Sequence, residues 1–419
     1  MNLKSSNWLS WIILFLMIIF TVRDIVTINI NPYLITLLLC GISFCLSYKD
    51  LVAFSCFLLP LSCGIQSFIW VFIIGCLLIR ARRISLETVL LFLLFVSLEL
   101  FDQARALIVS NEIKNTIFYL VSLFLVLFLV NNDKTRELDY SKNIRYFLYG
   151  TSFLLVVLFS RIIIQHGILE VLSGAIRYQL EDTSTSGDYV FYTNANNLGL
   201  YATVCISTLL FLGKDNLRLS NIMYIILLIV TVAGGMLTFS RTWFILTCLA
   251  LLIYIFLANK NKTFAIVLFT LLIFITLACT TDYFKMIVDL FQERLTADDV
   301  RDGAGRMDLF SLYNSFFIQN PQYWLTGTGA VNYQSICQQP LSMHNMIQQT
   351  YVCYGFLGCA GVFLLFYSIF RNNKSVRSIM FYGPIVFYLI FVQTVQFFSP
   401  IFCMYPLVLC VNCLKVNKN

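Results

Sequence analysis

Apolar residues in this chain come in unbroken stretches separated by short polar interruptions, with no sustained alternation. Seven such stretches lie in the first half, at residues 8–22, 33–47, 51–62, 65–79, 86–100, 113–130 and 146–164. Seven more follow, at 197–212, 219–239, 243–257, 263–280, 346–370, 379–398 and 401–414. A spanning helix needs roughly 20 apolar residues, whereas a membrane strand alternates over about 10. The pattern therefore predicts an all-α polytopic integral membrane protein with about 12–14 transmembrane helices.

Composition removes the competing classes. A chain of 419 residues could hold two or three soluble domains, but 59% of it is hydrophobic and only 12% is charged. Roughly 25% charge is usual for a soluble domain, so no water-facing surface can be made from this sequence. Disordered, coiled-coil, collagen-like and disulfide-scaffold chains are excluded by the same numbers. Residues 1–419 read as a single transmembrane domain.

Charge then orients the helices, because cytoplasmic connections carry the excess of Lys and Arg. Lys49 and the group Arg80, Arg82 and Arg83 should share a side, which requires two crossings within 51–79 and a turn near Ser62, Cys63 and Gly64. With the amino terminus inside, 18 of the 28 basic residues but only six of the 21 acidic ones face the cytoplasm. The net charge of +7 is thus a topology signal in contact with membrane lipids, and no nucleic-acid partner is implied. The first stretch, preceded by Lys4 and lacking a small-residue cleavage pattern, reads as an uncleaved signal-anchor. Nearly all of the 14 cysteines fall in spans as small packing residues; only Cys337 lies clearly in an external loop, so neither a disulfide framework nor a zinc site is indicated. No internal repeat is evident, which argues against an inverted-repeat transporter.

Two outward connections are long, a smaller loop at 165–193 and a large one at 281–345. Long loops in compact proteins are usually functional. Facing outward, they must use substrates delivered to that side, without cytoplasmic nucleotide sugars or ATP. The smaller loop closes on Asn194, Asn196 and Asn197 as a helix begins. These amides are either helix caps or a patch for sugar hydroxyls or a head group. Arg241, between two strongly apolar spans, is either a snorkelling anchor or a guanidinium aimed at phosphate.

The large loop holds Asp298, Asp299, Arg301, Arg306 and Asp308. Its two adjacent acids are not spaced for one helix face, so no catalytic metal is expected, nor any cofactor. From Met307 to Ile318, Leu309, Leu312, Tyr313, Phe316 and Phe317 fall at spacings of 3 and 4, predicting an amphipathic helix. His344 and Asn345 end the loop. With Ser342 as N-cap, His344 would occupy N2, where the helix dipole disfavours imidazolium and leaves a neutral ring able to act as a base. A helix-start histidine satisfied by a local carbonyl is the alternative.

In this order, Asn194-Ala195-Asn196-Asn197-Leu198-Gly199, Ser240-Arg241-Thr242, Gly305-Arg306 and His344-Asn345 with Gly355-Phe356-Leu357-Gly358 resemble the bacterial O-antigen polymerase and O-antigen ligase superfamily. The resemblance covers about residues 194–367. It implies a metal-independent, inverting membrane glycosyltransferase of the C type in the bacterial inner membrane, acting at the periplasmic face. The donor would be a glycan on undecaprenyl diphosphate, and the acceptor a second lipid-linked glycan for a polymerase or the lipid A core for a ligase. Arg241 and Arg306 would hold the diphosphate and His344 would assist the acceptor hydroxyl, all three as catalytic residues. Asn194, Asn196, Asn197, Arg301 and Asn345 would bind substrate. A chain-length regulator is an expected partner. Asn320-Pro321 before Trp324 and Gly327-Thr328-Gly329 favour the polymerase. A transporter or flippase of the same lipid-linked glycan is the alternative of another class.

Overall fold

The computed structural model describes residues 6–81, 84–106, 110–131, 138–172, 190–258, 306–339, 341–373, 376, 378–398 and 401–416. Among them every regular element is helical. In chain order these are α1 (Ser6–Asp24), α2 (Pro32–Cys45), α3 (Tyr48–Leu58), α4 (Phe68–Arg80), α5 (Leu86–Ala106), α6 (Ser110–Asn131), α7 (Tyr140–His166) and α8 (Ile168–Leu172). After the smaller loop come α9 (Ala195–Leu217), α10 (Asn221–Leu237) and α11 (Arg241–Ala258). Then follow α12 (Arg306–Gln319), α13 (Tyr333–Cys337), α14 (Met346–Asn372), α15 (Gly383–Phe391) and α16 (Tyr405–Val416). The predicted span at 263–280, Arg301, the acids Asp298 and Asp299, the rest of residues 281–305 of the large loop, and most of the smaller loop lie outside the described residues.

The polar interruptions in the sequence are helix caps. Asn31, Ser47, Asp139, Asn194, Ser220 and Asn345 each accept a backbone N–H from the first turn of the helix that follows. Each cap satisfies a donor that a helix end leaves without an intrahelical partner. Residues 51–79 break into α3, a 3-10 turn at Pro60–Gly64, and α4, the two helices that the charge pattern requires.

Four helices are long and apolar enough to cross a membrane by length and composition, within Ile113–Asn131, Tyr140–His166, Ala195–Leu217 and Met346–Asn372. Shorter apolar helices accompany them, including Pro32–Cys45, Phe68–Arg80 and Asn221–Leu237. Helix α9 is central, with 89% of its apolar window buried against 56% for that of α14. Outer helices expose large apolar side chains such as Phe44, Ile222 and Phe363, at 69%, 73% and 68% of their surface. Apolar exposure on that scale suits a hydrocarbon surround.

Ion pairs give an internal test of the charge-derived alternation. Lys142 with Asp50, Arg218 with Asp139, and Arg371 with Glu87 each join two residues assigned to the inner side. Arg23 with Asp24, Arg161 with Asp24, Arg105 with Asp102, and His166 with Glu170 each join two assigned to the outer side. No described ion pair joins opposite sides.

Two predicted spans need correction. Residues 379–398 are not one helix: a 3-10 turn and α15 end at Phe391, and 392–398 runs on irregularly. That stretch is tolerated because it is packed in protein, where the Gln349 carboxamide oxygen accepts from the backbone N–H groups of Phe397 and Phe398 at 2.6 and 2.9 Å. Residues 346–370 form a helix interrupted at Gly355, which has φ 60° and ψ −158°. The free groups at the interruption pair with the chain between Trp324 and Gly329. Thr328 and Gly329 donate to the carbonyls of Val352 and Cys353 at 2.9 and 2.8 Å, while Phe356 and Leu357 donate to those of Trp324 and Leu325 at 2.8 and 3.2 Å. Arg105 fastens this loop to the end of α5, donating to the carbonyls of Gly327 and Gln322 and lying 4.3 Å from the Tyr323 ring centre.

Candidate functional site

The turn that carries His344, residues 395–396 and 401–405, the start of α9 and the outer part of α6 surround a cavity of about 640 Å³. One wall carries Thr193, Asn194, Asn196 and Asn197, and His344 and Gln396 also line it. The first half of the chain supplies Ser62 and Ser67 beside the 3-10 turn, with Asn115, Tyr119 and Ser122 from α6. Trp70, Tyr192, Phe402 and Tyr405 add aromatic surface. No charged side chain is among the described residues that line the cavity. Neutral amides, hydroxyls and aromatic rings of this kind suit a carbohydrate, with hydrogen bonds for its hydroxyls and flat rings for its apolar faces.

The amides expected to bind substrate are partly committed to the fold. The Asn194 oxygen caps α9 by accepting from Asn196 N at 2.8 Å. Asn197 donates to the Thr193 hydroxyl at 3.5 Å and accepts from the Cys403 thiol at 3.3 Å. Asn196 is half-buried on the cavity wall. Asn345 does not line the cavity: it caps α14 by accepting from Gln348 N at 2.9 Å and donates to the Gln393 carbonyl at 3.4 Å, which fixes the turn that carries His344. The cap is therefore Asn345 and not Ser342, and His344 precedes the helix instead of occupying N2. Both residues are good caps, and the choice falls to the one whose side-chain amide N–H also joins the 392–398 segment. The dipole argument for a neutral imidazole does not carry to this position.

Arg241 opens α11 and is half-buried, and it is not among the cavity-lining residues. Its turn nevertheless packs on the start of α9. A Cβ at Gly199 would meet Ser240 Cβ at 3.1 Å and Oγ at 3.2 Å, so glycine there lets the Ser240-Arg241 turn approach one helical turn beyond Asn196. Replacing Gly199 with valine is expected to cost about 1–3 kcal/mol through overpacking, seen as a lower thermal unfolding midpoint in detergent.

Arg306 is the first residue of α12, and that helix is held to the chain on either side of His344. Gln348 donates to the Phe310 carbonyl at 2.8 Å, and the Tyr313 hydroxyl donates to the Leu341 carbonyl at 2.6 Å. Of the predicted apolar face, Tyr313 and Phe317 are buried and Leu309 and Phe316 half-buried, whereas Leu312 is exposed together with Met307, Phe310 and Ile318. Cys337, the external cysteine, is buried in α13; burial first, and then the nearby Asp102 charge, push its thiol up to about 12, which leaves it unreactive at neutral pH.

Two charged clusters lay outside the sequence argument. Arg23, Asp24 and Arg161 gather beside the cavity wall at Phe191, and Glu99 and Asp102 meet at Gly329. The signal for both was available: an ionisable residue inside or just beyond an apolar span is rare unless it has a task.

Comparison with known proteins adds no relative, since no family model and no curated protein matches the chain.

Proposed function

We propose that this protein is a membrane glycosyltransferase that lengthens a polysaccharide, moving glycan from undecaprenyl diphosphate to a second lipid-linked glycan at the periplasmic face of the bacterial inner membrane. One observation carries the reading: motifs far apart in sequence meet around one neutral, polar and aromatic cavity. His344 and the amides of 194–197 line it, Ser240-Arg241 packs on the next turn of α9 at Gly199, and the helix opened by Arg306 is held to the chain on either side of His344. Sugar transfer from a diphosphate needs cations where charge develops on the leaving group and a base for the acceptor hydroxyl. By their charge Arg241 and Arg306 are suited to the first task, and His344, which lines the cavity, to the second.

The test uses purified protein in vesicles with undecaprenyl-diphosphate-linked repeat units isolated from host membranes. The expected result is longer lipid-linked glycan with release of undecaprenyl diphosphate. His344→Ala should lower the rate by about 10²–10⁴, the range for general acid–base groups, and Arg241→Ala and Arg306→Ala should also lower it. Product that forms only when lipid A core is added makes the protein the ligase. Movement of intact lipid without a new glycosidic bond makes it a carrier and overturns the enzyme reading.

A further inference from the structure

One described contact chain leads from the cavity into the protein interior. Tyr119 of α6 lines the cavity, and its hydroxyl lies 2.6 Å from that of Tyr354, the residue before the break in α14. The Tyr354 hydroxyl donates to Glu99 Oε1 at 2.7 Å. Glu99 is fully buried, and its Oε1 also accepts from Ala330 N at 2.6 Å. Its Oε2 is buried with no hydrogen-bond partner among the described residues.

The polarity of the chain follows from counting protons. Tyr354 has one hydroxyl proton and gives it to Glu99, so its oxygen must accept from Tyr119. Tyr119 then directs its proton inward, which leaves its own oxygen as an acceptor. A burial this complete is costly for a carboxylate unless the group has partners or work to do. Two donors converge on Oε1, the oxygen on which a proton passed inward by Tyr354 arrives, while Oε2 has no hydrogen-bond partner among the described residues.

We propose that Tyr119, Tyr354 and Glu99 form a proton relay that draws the proton released in glycosyl transfer out of the cavity. The proposal rests on the transferase reading. In the reaction, the acceptor oxygen bonds to the anomeric carbon, the bond from that carbon to the phosphate oxygen breaks, and the diphosphate lipid leaves with the electron pair. The acceptor's proton passes to the His344 imidazole. From there, through cavity water, it reaches the Tyr119 oxygen as Tyr119 passes its own proton to Tyr354, and Tyr354 passes its own to Glu99. The sum is one proton moved from the acceptor hydroxyl to the Glu99 carboxylate. Asp102 continues the path outward: Glu99 and Asp102 both border Gly329, and Asp102 pairs with the partly exposed Arg105 at 3.5 Å. Lengthening a polymer repeats this step at one site, so a base that cannot shed its proton stalls after each addition.

The charged and titratable groups facing Glu99 are Asp102 on its own helix, Tyr119 on α6, and Tyr354 and Cys353 on α14, with Arg105 and Cys337 of α13 facing Asp102. The test measures undecaprenyl diphosphate release by the full-length protein in the vesicle assay above, for Tyr119→Phe, Tyr354→Phe, Glu99→Gln, Glu99→Asp and the double phenylalanine variant. Each single phenylalanine removes one oxygen and keeps the ring packing. The expected result is a kcat at least about tenfold lower, within the reach of a proton-transfer step, with KM nearly unchanged. The double variant should be no slower than either single, because one broken link stops the whole chain. Wild type should slow as pH falls and Glu99 becomes protonated; Glu99→Gln should lose that limb and Glu99→Asp should restore part of it. Variants that purify as folded, monodisperse protein yet keep the wild-type rate and pH profile overturn the relay alone, as does a double variant whose losses multiply. A wild-type protein that releases no diphosphate lipid overturns the transferase reading and the relay with it.

Discussion

Replacing Asp24 with alanine is expected to destabilise the protein by about 3–5 kcal/mol, the usual result of removing one partner from a buried ion pair. Arg23, Asp24 and Arg161 are all buried, at 7%, 1% and 4% exposure. The Asp24 carboxylate accepts from Arg23 at 2.7 Å, from Arg161 at 3.5 Å, and from the Phe191 backbone N–H at 2.8 Å. Arg161 also donates to the Phe191 carbonyl at 2.7 Å, so both backbone groups of Phe191 are held. Arg23 donates to the Gly64 carbonyl at 2.7 Å, and the rings of Phe20 and Phe191 lie 5.0 and 4.7 Å from its guanidinium. The cluster therefore ties the end of α1 and α7 to two pieces of cavity wall, the 60–64 turn and the 191–194 strand of chain. Alanine at 24 leaves two guanidiniums buried with no anion, and releases Phe191.

The measurements are thermal unfolding in detergent and the vesicle assay. Asp24→Ala should lose both stability and rate, because Tyr192, Thr193 and Asn194 follow directly on the released residue. Exchanging all three cluster residues for leucine or methionine should recover much of the stability, since apolar packing commonly replaces a buried ionic group without loss. It should not recover the rate, because no apolar side chain holds the Phe191 backbone. An Asp24→Ala protein that unfolds at the wild-type midpoint rules this account out.

How far such features could be foreseen depends on their range along the chain. Helices and caps were legible because both are local: a long apolar run specifies one, and an Asn, Ser or Asp at its head specifies the other. The split of 51–79 was legible through charge, since Lys49 and Arg80 needed a common side. The break at Gly355 was hidden, because the residues around it from Tyr351 to Phe370 form a predominantly apolar run and positive φ leaves no mark in hydropathy. Ser342 and Asn345 compete as caps on equal local terms, and only the tertiary bond from Asn345 to Gln393 separates them. The cavity wall from the first half, including Ser62, Asn115 and Tyr119, carried no motif at all. Those positions are set by which helices pack together, a property of the whole bundle. Glu99 and Arg161 were visible as charges in apolar runs, but Tyr354 and Asp24, the side chains they pair with, lie more than a hundred positions away.

A single added methyl at Gly355 should have a large effect. Its φ of 60° and ψ of −158° lie in a region that essentially only glycine occupies. A Cβ there would fall 2.5 Å from both the Leu325 carbonyl carbon and the Trp324 oxygen, which are backbone atoms with no rotamer to change. Alanine leaves the chain two ways out. In one, α14 straightens, so that Phe356 and Leu357 return to the carbonyls of Val352 and Cys353; Thr328 and Gly329 then lose their acceptors and Trp324 and Leu325 their donors. In the other, the loop lifts from the helix and the interruption stays open. Either course adds about 1–3 kcal/mol of backbone strain to about 1–3 kcal/mol for each buried group left unpaired, which amounts to several kcal/mol. The same loop carries Ala330, whose N–H holds Glu99, so its displacement should remove the proposed activity, read in the vesicle assay, along with stability. Gly75→Ala is the matched control: it lies in the interior of α4, a Cβ there meets nothing within 4 Å, and alanine favours a helix. It should keep or slightly raise the unfolding midpoint in detergent, whereas Gly355→Ala should yield little folded protein, unfolding at a much lower temperature. Equal midpoints for the two variants would mean that the seam between the loop and the broken helix does not hold the structure together.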